Sequence, residues 1–208
     1  MQDIIIIGAS DTFDLVWASY AKDKSRIIGY LGLSQSQHSV FPDYPYLGES
    51  VSQACADHPD AAFVVSVYNN QTRRRLSEEV QAAGAVLLSP RHPDCTIYPT
   101  AMLEEGVLVA PQAVISTRAN VGQGVYVNYG ALVGHDVRVG DFSFISPGTR
   151  VLGEASIGSG VLLGTNVVVL AKVSIGDNAE IGANMVVAKD IPANATVLPQ
   201  QKTRTLGV

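Results

Sequence analysis

Cysteine is scarce in this chain, charge is sparse, and no long apolar run precedes a cleavage-like site or spans a bilayer. Cys55 and Cys95 are isolated thiols without metal-ligand spacing. They read as small buried residues in a reducing compartment. Charged residues make up only 16% of the 208, against 47% hydrophobic. That balance excludes a disordered chain. The net charge of −5 gives no reason to expect a nucleic-acid partner. Near the start, Ile4 to Ile7 is too short for a signal peptide or a membrane span, and no basic segment precedes it. A soluble cytoplasmic protein with no membrane partner is expected. The basic run Arg73 to Arg75 falls on an expected helix and reads as a solvated face.

What is present divides into two periods. Up to about Pro90, strands and helices alternate. Apolar runs suggest strands at Asp3 to Ile7, Arg26 to Leu33, Ala61 to Val67 and Ala85 to Leu88. Helical spacing marks Phe13 to Tyr20, Glu49 to Ala56 and Gln71 to Ala83, the last capped by Asn70 and stopped by Gly84. This order implies a small Rossmann-like parallel sheet over residues 1–90. Its ligands would sit at the carboxyl ends of the strands, at Gly8 to Ser10, Gly32 to Ser34 and Tyr68 to Asn70.

From Ile97 to Val187 every sixth residue is Ile, Leu or Val, sixteen in succession, although those types supply only 56 of the 208 residues. A strict period of six identifies a parallel β-helix of 18-residue triangular turns. Glycine often follows the aliphatic, as at Gly122, Gly134, Gly140, Gly158, Gly164, Gly176 and Gly182, and is expected to permit the corners. Small or branched residues stand two positions before it, such as Ala113, Ser143 and Thr149. The period never slips, so no loop should leave the coil. Residues 91–190 form the second expected domain, with 191–208 a cap or tail.

Few groups on this coil can do chemistry. Its only histidine is His135, followed by Asp136. Thr117 and Gly153, one turn away on either side, leave room for the ring. A carboxylate beside an imidazole orients it and raises its basicity, which suits a general base. Only one of the four histidines (His38, His58, His92 and His135) lies on the coil, too few for a zinc site there, so no metal is expected.

Together, Ile4-Ile-Ile-Ile-Gly-Ala-Ser10, Asn69-Asn70, Gly130-Ala-Leu-Val-Gly-His-Asp136 and Gly140-Asp-Phe-Ser-Phe-Ile-Ser-Pro-Gly148 resemble the sialic-acid O-acetyltransferase and UDP-4-amino-sugar N-acetyltransferase family of bacterial sugar acyltransferases. The resemblance implies a left-handed β-helix, a homotrimer, and O- or N-acetyl transfer from acetyl-CoA to a sugar or nucleotide-linked amino sugar in surface-polysaccharide biosynthesis. It assigns His135 as the base and Asp136 as its partner, with direct transfer and no acyl-enzyme. It places acetyl-CoA near Phe144, Gly153, Thr165 and Ala183, in the groove between two coils. It places the acceptor near Gly8, Ser10, Asp11, Thr12 and Asn128. The first loop departs from the family pattern at Asp11, Thr12 and Phe13. Two other readings stay open at this stage: a non-catalytic trimeric scaffold, and an acyltransferase with a different acyl donor or a non-sugar acceptor.

Overall fold

The computed structural model describes residues 2–8, 13–20, 26–34, 41 and 43–199. The expected acceptor positions Ser10, Asp11 and Thr12 lie outside the described residues. Strands β1 (Asp3–Ile7), β2 (Arg26–Leu31), β3 (Ala62–Val65) and β4 (Val86–Leu87) form one parallel sheet in the order β2-β1-β3-β4. All four isoleucines of β1 are buried, as a central strand covered on both faces requires. Alternation assigns their sides. Ile5 and Ile7 pack with Val51 and Ala54 of helix α2 (Val51–Asp57) and Leu76 and Val80 of helix α3 (Asn70–Ala82). Ile4 and Ile6 pack with Val16 of helix α1 (Phe13–Tyr20) on the other side.

Two boundaries are set by caps. Helix α2 begins at Val51 rather than Glu49 because the Ser50 side chain accepts the Gln53 amide. The cap of α3 is Asn69, whose side chain accepts the Thr72 amide at 2.9 Å, and not Asn70 as expected. Asn70 starts the helix, and its side chain turns to the coil.

Seventeen two-residue strands follow, from β5 (Thr96–Ile97) to β21 (Thr196–Val197). They stack into three parallel sheets, the faces of a triangular prism. The pairing register is 18 residues at every step up to Val169↔Val187, so the coil extrudes no loop. The second residue of each pair points inward. Val127, Val133, Ile145, Val151, Leu163 and Val169 are all fully buried. The small residues two positions earlier, such as Ala113, Ala131, Ser143 and Thr149, fill the same interior. The hexapeptide repeat implies the left hand of the coil.

Two expectations need correction here. The coil does not end near Val187. Ile191 bridges Ile175, and Thr196–Val197 pairs with Glu180–Ile181, so it runs on after a turn two residues shorter. The glycines after the aliphatic residues do not make the corners either. The left-handed backbone positions lie three residues after each aliphatic, and most are not glycine: Arg118 (φ 55), Asp136 (58), Glu154 (63), Asn166 (58) and Lys172 (65) are examples. The glycines directly after the aliphatics serve close stacking instead. A Cβ on Gly140 would stand 2.6 Å from backbone atoms of Gly158 and Ser159, and one on Gly164 would stand 2.7 Å from the Ala183 nitrogen. Backbone cannot yield to such contacts, so glycine is needed for packing between turns.

Candidate active site

The faces of the prism differ, and the difference positions the site. The first face presents Leu108, Tyr126, Phe144, Leu162 and Glu180 outward. The N-terminal half covers its lower part. Leu15 packs on Leu108, Ala110, Tyr126 and Phe144, and Tyr68 stacks parallel to Tyr126 at 5.9 Å and edge-on to Phe144 at 5.6 Å.

Arg73 locks this junction. Its side chain is fully buried, which overturns the expectation of a solvated face. The guanidinium donates to the carbonyls of Val67, Tyr68, Gly124, Phe142 and Ser143 and to Asn70 Oδ1. Burial holds its pKa down to about 10, still charged at neutral pH. Arg74 stacks over the Phe142 ring at 4.9 Å. Only Arg75, paired with Glu79, has the exposed setting expected of the run. The Asn70 side chain adds donations to Gly160 and Val161. Beside this junction, a cleft of about 290 Å³ is lined by Tyr68, Asn69, Gln71, Arg74, Glu180 and their neighbours. Gly8 is also needed for close approach: φ is +100°, and a Cβ would meet the Ser66 carbonyl oxygen at 2.6 Å. Its amide donates to the Leu31 carbonyl at the end of the strand.

His135 and Asp136 occupy the corner between the second and third faces. His135 Nδ1 lies 2.8 Å from Asp136 Oδ2. Arg118, one turn away, donates Nε to Asp136 Oδ1 at 2.7 Å and Nη2 to Oδ2 at 2.8 Å. Hydrogen bonds from Arg118 first, then His135, draw the Asp136 carboxyl pKa down to about 2. An ionised carboxylate only accepts, so Nδ1 carries the proton and neutral His135 keeps its lone pair on Nε2. The imidazole is half exposed. Its Nε2 sits over Gly153, where an added Cβ would stand 2.3 Å away. Gly153 is therefore the seat of the ring, and any side chain there would displace it.

The other expected positions fall elsewhere. Asn128 is buried at the corner between the first and second faces, its Oδ1 accepting the Tyr129 amide. Thr165 and Ala183 share that corner, 18 residues apart in one column. Phe144 belongs to the buried junction on the first face. Arg118 was not anticipated. The 18-residue rule that pairs His135 with Gly153 also pairs Asp136 with Arg118, and applying it to the acid would have found the fork. Burial pushes both thiols, Cys55 and Cys95, above their ordinary value, the opposite of a reactive nucleophile. Among the described residues no cluster of His, Cys, Asp and Glu could hold a metal ion. No described helix is long and apolar enough to cross a membrane.

The fold is similar to that of hexapeptide-repeat transferases. Residues 154–189 match the family model described as bacterial transferase hexapeptide (six repeats). Among solved structures the chain resembles bacterial sugar acyltransferases. A mutant of perosamine N-acetyltransferase from Caulobacter crescentus, solved in complex with CoA and GDP-perosamine, has a TM-score of 0.88 at 23% identity, covering 96% of this chain and 94% of its own. The acetyltransferase domain of PglB from Neisseria gonorrhoeae FA1090, in complex with acetyl coenzyme A, has a TM-score of 0.85 at 27% identity, covering 95% and 96%. WeeI from Acinetobacter baumannii AYE has a TM-score of 0.81 at 22% identity, covering 96% and 97%. No curated protein matches the chain.

Proposed function

We propose that this chain is an acetyl-CoA-dependent acetyltransferase that acylates an amino group of a nucleotide-linked sugar, with His135 as general base. The observation that carries the reading is the His135 ring, held by Asp136 through Nδ1 and open at Nε2 above Gly153. Nε2 takes a proton from the acceptor amine as its nitrogen attacks the thioester carbonyl. The tetrahedral intermediate collapses, the C–S bond breaks, and the imidazolium returns the proton to the departing thiolate. Asp136 stabilises the imidazolium between these steps. Transfer is direct, and neither buried cysteine is needed. The amine is preferred over a hydroxyl because the similar structures include an N-acetyltransferase with its sugar nucleotide.

The faces support a trimer. The first is partly covered by the N-terminal half, and the third presents Met102 followed by Asn120, Arg138, Ser156 and Ser174. The second presents Thr96, Val114, Leu132, Arg150, Val168 and Val186, four of the six aliphatic. Val186 is 64% exposed in the single chain. A column of aliphatics facing water marks a subunit interface. Three copies with the second face inward close a ring. Each copy's His135 corner then meets the next copy's corner bearing Asn128, Thr165 and Ala183. Acetyl-CoA lies in that groove. The acceptor enters from the neighbour's N-terminal half, residues 1–90. A donor made in the cell interior makes the cytoplasm the working compartment.

The test is release of CoA from acetyl-CoA with a panel of nucleotide-linked amino sugars. His135→Ala is expected to lower kcat by about 10²- to 10⁴-fold with the fold intact; an unchanged rate would remove His135 from the mechanism. Val168→Asp is expected to convert a trimer to monomers in light scattering, and a retained trimer would rule out the second face as the interface.

A further inference from the structure

We propose that Arg118 is a positioning residue, whose guanidinium fork holds the Asp136 carboxylate in the orientation that fixes the His135 tautomer. The proposal rests on His135 being the base. Adjacent residues in a chain do not ordinarily present their side chains to one another. Here the left-handed backbone at Asp136 (φ 58) turns the carboxylate back toward the imidazole. That carboxylate is one-third exposed and the imidazole more than half. In water such a side chain samples several rotamers, and only one reaches Nδ1.

The fork removes that freedom. Nε and Nη2 bind the two carboxylate oxygens in parallel, a planar match that sets the plane as well as the place of the group. Oδ2 then serves both Nη2 and His135 Nδ1. A lysine could supply the charge but not the plane. The Arg118 backbone is itself fixed, left-handed (φ 55) with its amide donated to Thr100 Oγ1 at 3.2 Å, while the side chain is 62% exposed apart from the fork.

The charges around the base form one column, 18 residues apart: Arg118, Asp136, Glu154 and Lys172. The last two pair with each other through a single 3.8 Å contact, leaving Arg118 to Asp136. Arg138, on the neighbouring strand, and Asp141 are the remaining charges on this turn. Lys172→Gln is therefore a control of equal charge change that spares the fork.

The test uses the full chain carrying ¹⁵N-histidine. In the wild type the neutral His135 ring is expected to show a protonated Nδ1 and an unprotonated Nε2. Arg118→Gln, checked for folding by circular dichroism, is expected to mix the two tautomers and lower kcat by about 10-fold or more with little change in KM. Lys172→Gln is expected to leave the tautomer unchanged and kcat within about 2-fold. An unchanged tautomer in Arg118→Gln overturns the proposal, and so does a loss confined to KM. If no variant or wild-type protein transfers acetyl groups while the tautomer still mixes, the functional reading fails and the positioning role stands.

Discussion

The N-terminal sheet and the coil obey different rules of neighbourhood. In the coil, a residue's contacts are the residues 18 before and 18 after it, so His135 meets Gly153, Asp136 meets Arg118, and Asn166 meets Asn184. In the sheet and its helices, contacts depend on how elements of different length dock. Arg73, on α3, reaches Gly124 and Phe142, and no local pattern foretells it. One half behaves as a one-dimensional stack. The other is a three-dimensional packing problem.

The largest expected effect lies where the two meet. Arg73→Met keeps the length of the side chain and removes every donor. It strands the carbonyls of Val67, Tyr68, Gly124, Phe142 and Ser143 around an apolar group. A loss of about 3–5 kcal/mol in urea denaturation is expected, because the partners of a buried charge keep their desolvation cost when it goes. If the junction alone carries the loss, the sheet unfolds before the coil and the transition splits. A single shifted transition would show that the two halves share more than this clamp.

The next effect separates two kinds of glycine within the coil. Gly140→Ala drives a Cβ into backbone of the next turn and is expected to cost about 1–3 kcal/mol. Gly130 has φ +61 and open space where a Cβ would go. Gly130→Ala is expected to cost only about 1 kcal/mol, from the left-handed backbone. Gly130→Asn should cost less, since Asn166 and Asn184 hold the same column at φ 58 and 59. Thermal melts of the three variants rank them. Equal costs would mean that corner conformation, rather than stacking, selects glycine throughout.

These rules explain what the chain alone discloses. The inward aliphatics from Ile97 to Val187 repeat without error because each turn sees the same surroundings, so the coil is legible residue by residue. The His135–Asp136 pair is legible because so little else on the coil is polar. Arg118 was readable by the same 18-residue step and is hidden only when the acid is taken as the end of the chain of contacts. The continuation through Ile191 to Val197 escapes the period because that turn is two residues shorter. Phe144 could not be placed by the period. Its column faces out, and only the docking of Tyr68 and Leu15 buries it. The Arg73 clamp was misread for the same reason: charge on a helix looks solvated until the partner surface is known.

The smallest effects compare two ion pairs in one column. Arg118 and Asp136 form a two-point fork, whereas Lys172 and Glu154 share one 3.8 Å contact between exposed groups. Lys172→Ala is expected to change stability by less than about 0.5 kcal/mol. The fork carries a pH signature. Asp136 titrates lower in the folded chain than an ordinary carboxyl, at about 2. Its contribution is therefore complete above the unfolded carboxyl value of about 3.9 and is lost as pH falls through about 2. Melting temperatures of the wild type and Asp136→Asn should differ at pH 6 and converge toward pH 2. A gap between wild type and Asp136→Asn that persists at pH 2 would mean that the corner is held by the backbone alone, with the fork reserved for orienting the His135 ring.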